Sequence, residues 1–177
     1  MKILVVIDMQ NDFITGPLGT PEAQAIVPKV IEKINQYMGE DCLRFYTMDT
    51  HHDGYLDTLE GKKLPTPHCI RRTEGWEIPT ELLSHNGIYV YKDSFGAYVL
   101  PEIIDDKFSE YMEDPIIENI ELVGLCTDIC VISNAMILKS YFPNVPIIVD
   151  SSCCAGTTPE SHENALKAMK MCHIDVI

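Results

Sequence analysis

The chain of 177 residues has few basic residues and no long apolar run. Thirteen lysines and arginines stand against 27 aspartates and glutamates, which gives a formal net charge of −14. This charge repels nucleic-acid phosphates and anionic membrane surfaces, so we expect neither as a partner. The longest apolar runs contain only a few residues, far short of the roughly 20 that a membrane-spanning helix needs. We therefore expect no contact with a membrane.

Several common motifs are also missing. The stretch from Met1 to Asp8 lacks the layout of a secretory signal, so export is not indicated. The seven cysteines are odd in number and have no Cys-x-x-Cys spacing, which indicates free thiols in a reducing cytoplasm. No His-Glu-x-x-His, G-x-G-x-x-G or Walker sequence occurs, so neither a zinc protease nor a nucleotide-binding motif is present. Length and an apolar content of 46% predict one domain over residues 1–177.

Six short apolar runs rich in β-branched residues predict six strands. The predicted strands are residues 3–7, 43–47, 88–91, 120–124, 146–149 and 173–177. Most are continuous rather than alternating, as expected for parallel strands covered on both faces by helices. Helical patterns lie between them at residues 22–38, 100–112, 128–142 and 159–172, the last with Thr158 as N-cap and Pro159 at its first position. The alternation predicts an α/β three-layer sandwich.

In such a fold, ligands bind at the carboxyl ends of the strands. Strand ends at this edge carry Asp8, Asp49 and Lys92, and the fourth predicted strand leads into Cys130. Cys130 falls in the first turn of a helix that we expect Thr127 or Asp128 to cap, where the helix dipole favours a thiolate.

Two interpretations of Cys130 follow from the residues alone. It is either a nucleophile or a small buried apolar residue. Asp8 and Lys92 favour the nucleophile, because a carboxylate can take the thiol proton and an ammonium can keep that carboxylate ionised. Taken singly, Asp8 is equally consistent with a helix cap and Lys92 with a solvated side chain.

The long connection over residues 50–72 indicates a functional loop, since it exceeds an ordinary turn. Asp49 and His51 precede or open it, and Glu60 and His68 lie within it. Imidazoles and carboxylates together suit a divalent ion, with zinc first and manganese or iron as alternatives. The competing interpretation is a solvated polar loop.

Five motifs in this order resemble the isochorismatase-like cysteine hydrolases, and among them the nicotinamidases. The motifs are Val6-Ile7-Asp8-Met9-Gln10-Asn11-Asp12-Phe13, Asp49-Thr50-His51, Pro67-His68-Cys69, Lys92-Asp93-Ser94-Phe95-Gly96-Ala97-Tyr98 and Val123-Gly124-Leu125-Cys126-Thr127-Asp128-Ile129-Cys130-Val131. The resemblance implies a six-stranded parallel sheet of order 3-2-1-4-5-6 and covers residues 1–177. It also implies homo-oligomers, which are common in the family.

The resemblance assigns roles to particular residues. It implies a catalytic triad of Asp8, Lys92 and Cys130, with an oxyanion hole from the backbone N–H groups of Cys126 and Cys130. A cis peptide bond is implied between Leu125 and Cys126. The implied metal ligands are Asp49, His51 and His68, joined in some members by a carboxylate at the position of Glu60. Phe13 matches an aromatic that stacks on the substrate ring, and Tyr98 and Arg72 are further candidate substrate-binding residues.

The implied reaction is hydrolysis of a small carboxamide, with nicotinamide as the first candidate. Thr50 and His52 depart from the Asp-Trp-His-Pro of many nicotinamidases, and Arg72 replaces the first glycine of a following Gly-Thr-x-Gly. Another small substrate, an N-carbamoyl compound or an ether, is therefore the alternative, with Arg72 as a carboxylate anchor. A further alternative is a non-catalytic metal-binding or redox-sensing protein, in which Cys69, Cys126 or Cys153 would resolve an oxidised Cys130.

Overall fold

The computed structural model describes residues 1–84, 86–110 and 116–177. Its strands are β1 (Lys2–Ile7), β2 (Cys42–Asp49), β3 (Ile88–Lys92), β4 (Asn119–Leu125), β5 (Ile147–Ala155) and β6 (Asp175–Val176). They form one parallel sheet of order β3-β2-β1-β4-β5-β6. The predicted fold class and strand order are confirmed. β5 runs further than predicted because its small residues up to Ala155 continue the pairing with β4.

Helices cover both faces of this sheet. They are α1 (Asn11–Ile14), α2 (Pro21–Gln36), α3 (Leu59–Lys63), α4 (Leu100–Ser109), α5 (Ile132–Tyr141) and α6 (Pro159–Met171). Short 3-10 helices lie at Tyr55–Asp57, Glu74–Trp76 and Thr80–Leu82. Residues 111–112 of the predicted helix at 100–112 lie outside the described residues. None of the described helices is long and apolar enough to cross a membrane.

The central strand β1 is buried on both faces, which explains its continuous apolar sequence. Ile3, Val5 and Ile7 belong to one core cluster together with residues of α4, α5 and α6. Leu4 and Val6 belong to a second cluster on the opposite face, together with residues of α1 and α2. The two clusters are the two interfaces of the three-layer sandwich.

Helix starts follow their sequence signals. The Thr158 side chain accepts a hydrogen bond from the Ser161 N–H at 3.1 Å, and Pro159 occupies the first turn of α6, as predicted. Thr20 caps α2 in the same way by accepting from the Ala23 N–H at 3.0 Å. These caps fix the positions at which α2 and α6 begin after the chain leaves the carboxyl edge of the sheet.

Gly124 lets β1 and β4 approach closely at that edge. It pairs with Ile7, has a φ of 119°, and a Cβ at its position would collide with the Ile7 carbonyl oxygen. Only glycine meets both conditions without strain. The ends of β1 and β4, and the residues that follow them, are thereby brought side by side.

Candidate active site

Three charged or reactive side chains meet at this edge. The Lys92 Nζ atom lies 2.7 Å from Asp8 Oδ2 and 3.5 Å from Cys130 Sγ. Asp8 is fully buried immediately after β1, with a φ of 46°. Lys92 is the last residue of β3, and Cys130 follows β4. The structure therefore brings together the predicted Asp8, Lys92 and Cys130.

Asp8 is oriented by the neighbouring strand. The Thr47 hydroxyl of β2 donates a hydrogen bond to Asp8 Oδ1 at 2.6 Å. The Asp8 backbone N–H in turn lies 3.2 Å from the Thr47 hydroxyl oxygen. The carboxylate is thus held on one side by a hydroxyl and on the other by an ammonium, and it has little freedom to turn.

The burial of this cluster shifts all three pKa values. Burial raises the pKa of Asp8 above its ordinary value, although the Lys92 charge opposes the shift. Burial and then the Asp8 charge raise the pKa of Cys130 well above its ordinary value, again against Lys92. Burial alone would lower the pKa of Lys92, but Asp8 and Cys130 reverse this and raise it well above normal. The directions of these shifts favour a charged Lys92 and a protonated Cys130.

This result corrects the expected thiolate, and the local backbone corrects the expected cap. Cys130 lies in a π-helical turn, Thr127–Val131, that precedes α5 and begins after Cys126 with no side-chain cap. The Thr127 hydroxyl lies 2.8 Å from His162 Nδ1, and Asp128 accepts from the Thr157 N–H at 2.9 Å. Both side chains therefore bond to the chain around α6 rather than capping their own helix. The Leu125–Cys126 peptide bond is cis, as the resemblance implies.

Cys130 opens onto a cavity of about 740 Å³. The lining is mostly apolar and includes Phe13, Leu125 and Ile129, with Asp49, Glu60 and His68 at one side. Pockets of this size accept small organic ligands. The cysteine, the predicted aromatic and the polar group of the long loop thus share one space.

The polar group is a compact set of nitrogen and oxygen donors. Asp49 Oδ2 lies 3.0 Å from His51 Nε2 and 3.5 Å from His68 Nε2. One donor atom from each of these three residues lies within 4.8 Å of the others, a spacing that suits a single bound ion. Glu60 Oε1 lies 3.7 Å from His51 Nε2 and 3.8 Å from His68 Nε2. The structure therefore brings together all four predicted ligands.

These donors fit a divalent cation. The His51 Nε2 atom is buried and makes no hydrogen bond to the described residues. The Nδ1 atom of His68 lies 2.8 Å from the Thr66 carbonyl oxygen. Donation to that carbonyl fixes the tautomer that leaves the Nε2 lone pair free, which is the usual arrangement of a metal-binding histidine. Two imidazoles and carboxylates form a donor set typical of zinc and similar ions.

Two predicted substrate residues lie elsewhere. Tyr98 is 75% exposed and lines a separate cavity of about 310 Å³ together with Arg71. Its neighbour Ala97 is the buried residue of this loop, because the Ala97 N–H donates to Asn134 Oδ1 at 2.9 Å. Arg72 is exposed on a turn, with a φ of 71°, and lines neither cavity. The structure does not bring Tyr98 or Arg72 to Cys130.

Sequence reasoning missed part of the cavity wall. Leu59 and Leu64 line it from α3 and its end, a region interpreted from sequence only as a loop. The start of α3 had a signal, since Thr58 precedes it and its hydroxyl accepts from the Gly61 N–H at 2.9 Å. Phe95 also lines the cavity, although its motif was used only for Lys92 and Tyr98.

The three candidate resolving cysteines, Cys69, Cys126 and Cys153, all have raised pKa values. Burial raises the pKa of Cys126 to about 12 and that of Cys153 to about 11, with help from nearby aspartates. Burial raises the pKa of Cys69 further. All seven cysteines are free thiols. Redox-sensor cysteines are accessible and have low pKa values, so the burial and the raised pKa of Cys130 disfavour a redox sensor.

The fold and the site together define an α/β protein with a buried carboxylate, ammonium and thiol beside an Asp/His/His group. The chain belongs to the isochorismatase domain family, which matches residues 2–177. The solved structure of a Bacillus subtilis nicotinamidase is 27% identical, with a TM-score of 0.80 over 99% of this chain and 98% of that one.

Two further comparisons support the same relationship. A pyrazinamidase of Pyrococcus horikoshii, solved in complex with zinc, is 24% identical and shares the fold with a TM-score of 0.83, covering 99% of this chain and 98% of that one. A nicotinamidase/pyrazinamidase of Mycobacterium tuberculosis is 24% identical over 188 residues, spanning 100% of this chain and 98% of its own length.

Proposed function

We propose that this protein is a cysteine amidohydrolase that converts nicotinamide to nicotinate and ammonia. The observation that carries the proposal is the Cys130 thiol on the cavity wall, 3.5 Å from a Lys92 ammonium that also pairs with the buried Asp8. Membership of the isochorismatase family and the similarity to a nicotinamidase support it.

The reaction begins with proton transfer from Cys130 to Asp8. Both groups have raised pKa values, so the carboxylate is a stronger base than an exposed aspartate and suits this transfer. The sulfur attacks the amide carbon and forms a tetrahedral oxyanion. Backbone N–H groups of Cys126 and Cys130 are the proposed donors to that oxygen, and such donors typically contribute about 3 kcal/mol each.

The intermediate then collapses to a thioester. The C–N bond breaks, and the leaving nitrogen takes the proton from Asp8 and departs as ammonia. Asp8 is again a carboxylate and removes a proton from an incoming water, whose oxygen attacks the thioester carbon. Cleavage of the C–S bond releases the carboxylic acid and returns the proton to Cys130. Lys92 remains charged throughout and balances the negative charge that moves between Asp8 and Cys130.

Asp49, His51 and His68, with Glu60 as a fourth ligand, would hold a divalent ion, with zinc first and manganese or iron as alternatives. Such an ion would act as a Lewis acid, able to bind a ring nitrogen or to lower the pKa of a water. The orphaned His51 Nε2 and the fixed tautomer of His68 support this assignment.

Phe13 is the proposed stacking partner of the substrate ring. It lines the cavity, and its ring centroid lies 5.5 Å from that of His68, so a ring stacked on Phe13 lies next to the proposed ion. Tyr98 and Arg72 have no role in this proposal because they lie outside the cavity.

We also propose a cytoplasmic, homo-oligomeric protein. Seven free thiols in one chain suit a reducing compartment. Size-exclusion chromatography with light scattering measures the oligomeric state directly, and a monomer at micromolar concentration would contradict that part.

The decisive experiment measures ammonia release from nicotinamide, benzamide, a short aliphatic amide and an N-carbamoyl amino acid, with Cys130→Ala as the blank. We expect nicotinamide to give the highest kcat/KM. If the aliphatic or N-carbamoyl compound is cleaved best, the family assignment survives and the nicotinamide assignment fails.

A further inference from the structure

Two residues of the Asp8–Phe13 segment have no place in the reaction, although they are embedded in the site. Gln10 is fully buried and Asp12 is half-buried. Gln10 forms hydrogen bonds with the backbone of Asp49, and Asp12 accepts one from the backbone next to His68.

Gln10 fixes the backbone of Asp49 on both sides. Its Nε2 donates to the Asp49 carbonyl oxygen at 2.9 Å, and its Oε1 accepts from the Asp49 N–H at 2.8 Å. Nε2 also donates to the Trp76 carbonyl oxygen at 2.8 Å. The side chain thus substitutes for a neighbouring strand at the point where β1 has already ended, and it ties the end of β2 to the 3-10 helix Glu74–Trp76 that follows the long loop.

Asp12 fixes the two histidines through one residue. Its Oδ2 accepts from the Cys69 N–H at 2.7 Å, next to His68 in the chain. The Cys69 carbonyl oxygen then accepts from the His51 N–H at 2.9 Å. Cys69 has a φ of 46°, a region that a non-glycine residue adopts at a cost, so its backbone needs an external partner to hold it there.

The loop is also shaped around the Asp12 carboxylate. A Cβ at Gly75 would collide with the carboxylate atoms of Asp12. The loop backbone therefore approaches this side chain more closely than any residue with a Cβ would allow. Asp12 has no contact with Cys130 or Lys92 among the described hydrogen bonds and ion pairs, so it supports the loop and takes no part in the reaction.

We propose that Gln10 and Asp12 are positioning residues that preset Asp49, His51 and His68 for a divalent cation. The inference rests on the proposed metal site. Gln10 holds Asp49, the ligand at the end of β2. Asp12 holds His51 and His68, the two ligands in the long loop. Removal of either side chain would leave all three donors present but poorly aligned. Mutation of residues that orient metal ligands typically weakens metal affinity by about 10- to 100-fold.

The test measures zinc affinity by competition with a chromogenic chelator, which does not depend on activity. We expect Asp12→Ala and Gln10→Ala to weaken zinc binding about 10- to 100-fold. Asp12→Asn keeps an acceptor oxygen for the Cys69 N–H and should stay within about threefold of the wild type. Asn11→Ala is the matched control, because its side chain bonds the same loop, at the Glu74 carbonyl oxygen, 2.8 Å away, but no ligand-bearing segment.

Circular dichroism of the zinc-free variants shows which of them fold. If Asp12→Ala does not fold, Gly75→Ala provides the same test, since it displaces the carboxylate without removing it. Folded Asp12 or Gln10 variants that bind zinc as tightly as the wild type would overturn the proposal, and so would an equal loss in Asn11→Ala. If the wild type itself binds no divalent ion, the metal assignment fails as well, and the two failures are thereby distinguished.

Discussion

Two groups of polar side chains lie next to each other at the carboxyl edge of the sheet, and the chain holds them in different ways. Asp8, Lys92 and Cys130 come from the ends of strands or the turn directly after one. His51, Glu60 and His68 come from a long loop with a single short α-helix. The first group is fixed by the sheet, whereas the second requires additional hydrogen bonds to the rest of the molecule.

The two groups share Asp49. Its Oδ1 lies 3.1 Å from Lys92 Nζ, and its Oδ2 lies 3.0 Å from His51 Nε2. Burial alone would raise the pKa of Asp49, but the His51 and His68 side chains beside it and the Lys92 charge hold that pKa well below its usual range. One carboxylate therefore stays ionised and faces both groups. Strand ends thus supply the reacting groups and the shared carboxylate, while a tethered loop supplies further ligands that can be changed separately.

The sharpest way to test this separation is to remove the nucleophile. Cys130→Ala should lower kcat for amide hydrolysis by at least about 10⁴-fold, as loss of a nucleophile does in comparable enzymes. The change replaces a buried side chain by a slightly smaller one, so thermal unfolding should shift by only a few degrees. Zinc binding should be unchanged, since Cys130 is not among the donors. Measurable turnover by this variant would remove Cys130 from the mechanism.

Replacing the base should have the next largest effect. Asp8→Asn cannot accept the thiol proton, and kcat should fall by about 10²- to 10⁴-fold. The Asp8 charge is one of the causes that raise the pKa of Cys130, whereas Lys92 lowers it. The variant should therefore have a lower thiol pKa than the wild type, although it is less active.

The rate of alkylation by iodoacetamide as a function of pH measures that thiol pKa. The sign follows from the charges, because loss of a negative neighbour stabilises the thiolate beside the remaining ammonium. A midpoint for Asp8→Asn at or above the wild-type value would show that Asp8 does not act on Cys130. Cys130→Ala gives the background from the other thiols.

Removing the loop ligands should have a smaller effect on catalysis and a large effect on metal content. Purified wild type should contain about one divalent ion per chain. The double variant His51→Ala and His68→Ala should lose it, with kcat/KM lower by about 10²-fold. Elemental analysis checks the first statement, and a full equivalent of metal in the variant would show that the ligands are wrong. If the two groups are separable, the pH dependence of Cys130 alkylation should be the same in the metal-free wild type and in the metal-free double variant.

The same contrast explains what could be predicted from the sequence. The strand ends could be predicted, because continuous apolar runs define the strands and parallel strands place their carboxyl ends at one edge. The state of Cys130 could not be predicted. Its position after β4 suggested a helix N-terminus, but Cys130 lies in a π turn, and burial and the Asp8 charge raise its pKa.

The loop was harder to predict. The ligand types were visible in the sequence, but the tethers by Gln10 and Asp12 depend on contacts across 39 and 57 residues of sequence separation. Tyr98 and Arg72 show the converse difficulty: they were predicted at the substrate, but neither lines the cavity onto which Cys130 opens. Local spacing does not determine which side of a loop faces a cavity.

The smallest expected effect concerns the aromatic wall between the two groups. Aromatic stacking contributes about 0.5 to 1.5 kcal/mol beyond the burial of apolar area, so Phe13→Leu should lower kcat/KM for nicotinamide by about two- to tenfold. Leucine keeps most of the apolar surface that Phe13 contributes to the core cluster around Leu4 and Val6, so stability should change little.

A comparison of substrates separates the stacking from the metal. Benzamide keeps the ring and lacks its nitrogen, so the ratio of nicotinamide to benzamide reports on the ion, whereas the ratio of benzamide to an aliphatic amide reports on Phe13. Phe13→Leu should therefore reduce the second ratio and leave the first nearly unchanged, because the substitution alters only the stacking face. If the variant instead removes the preference for nicotinamide over benzamide, Phe13 acts by holding His68, with which it is in ring contact, and the aromatic wall belongs functionally to the loop group rather than to the substrate.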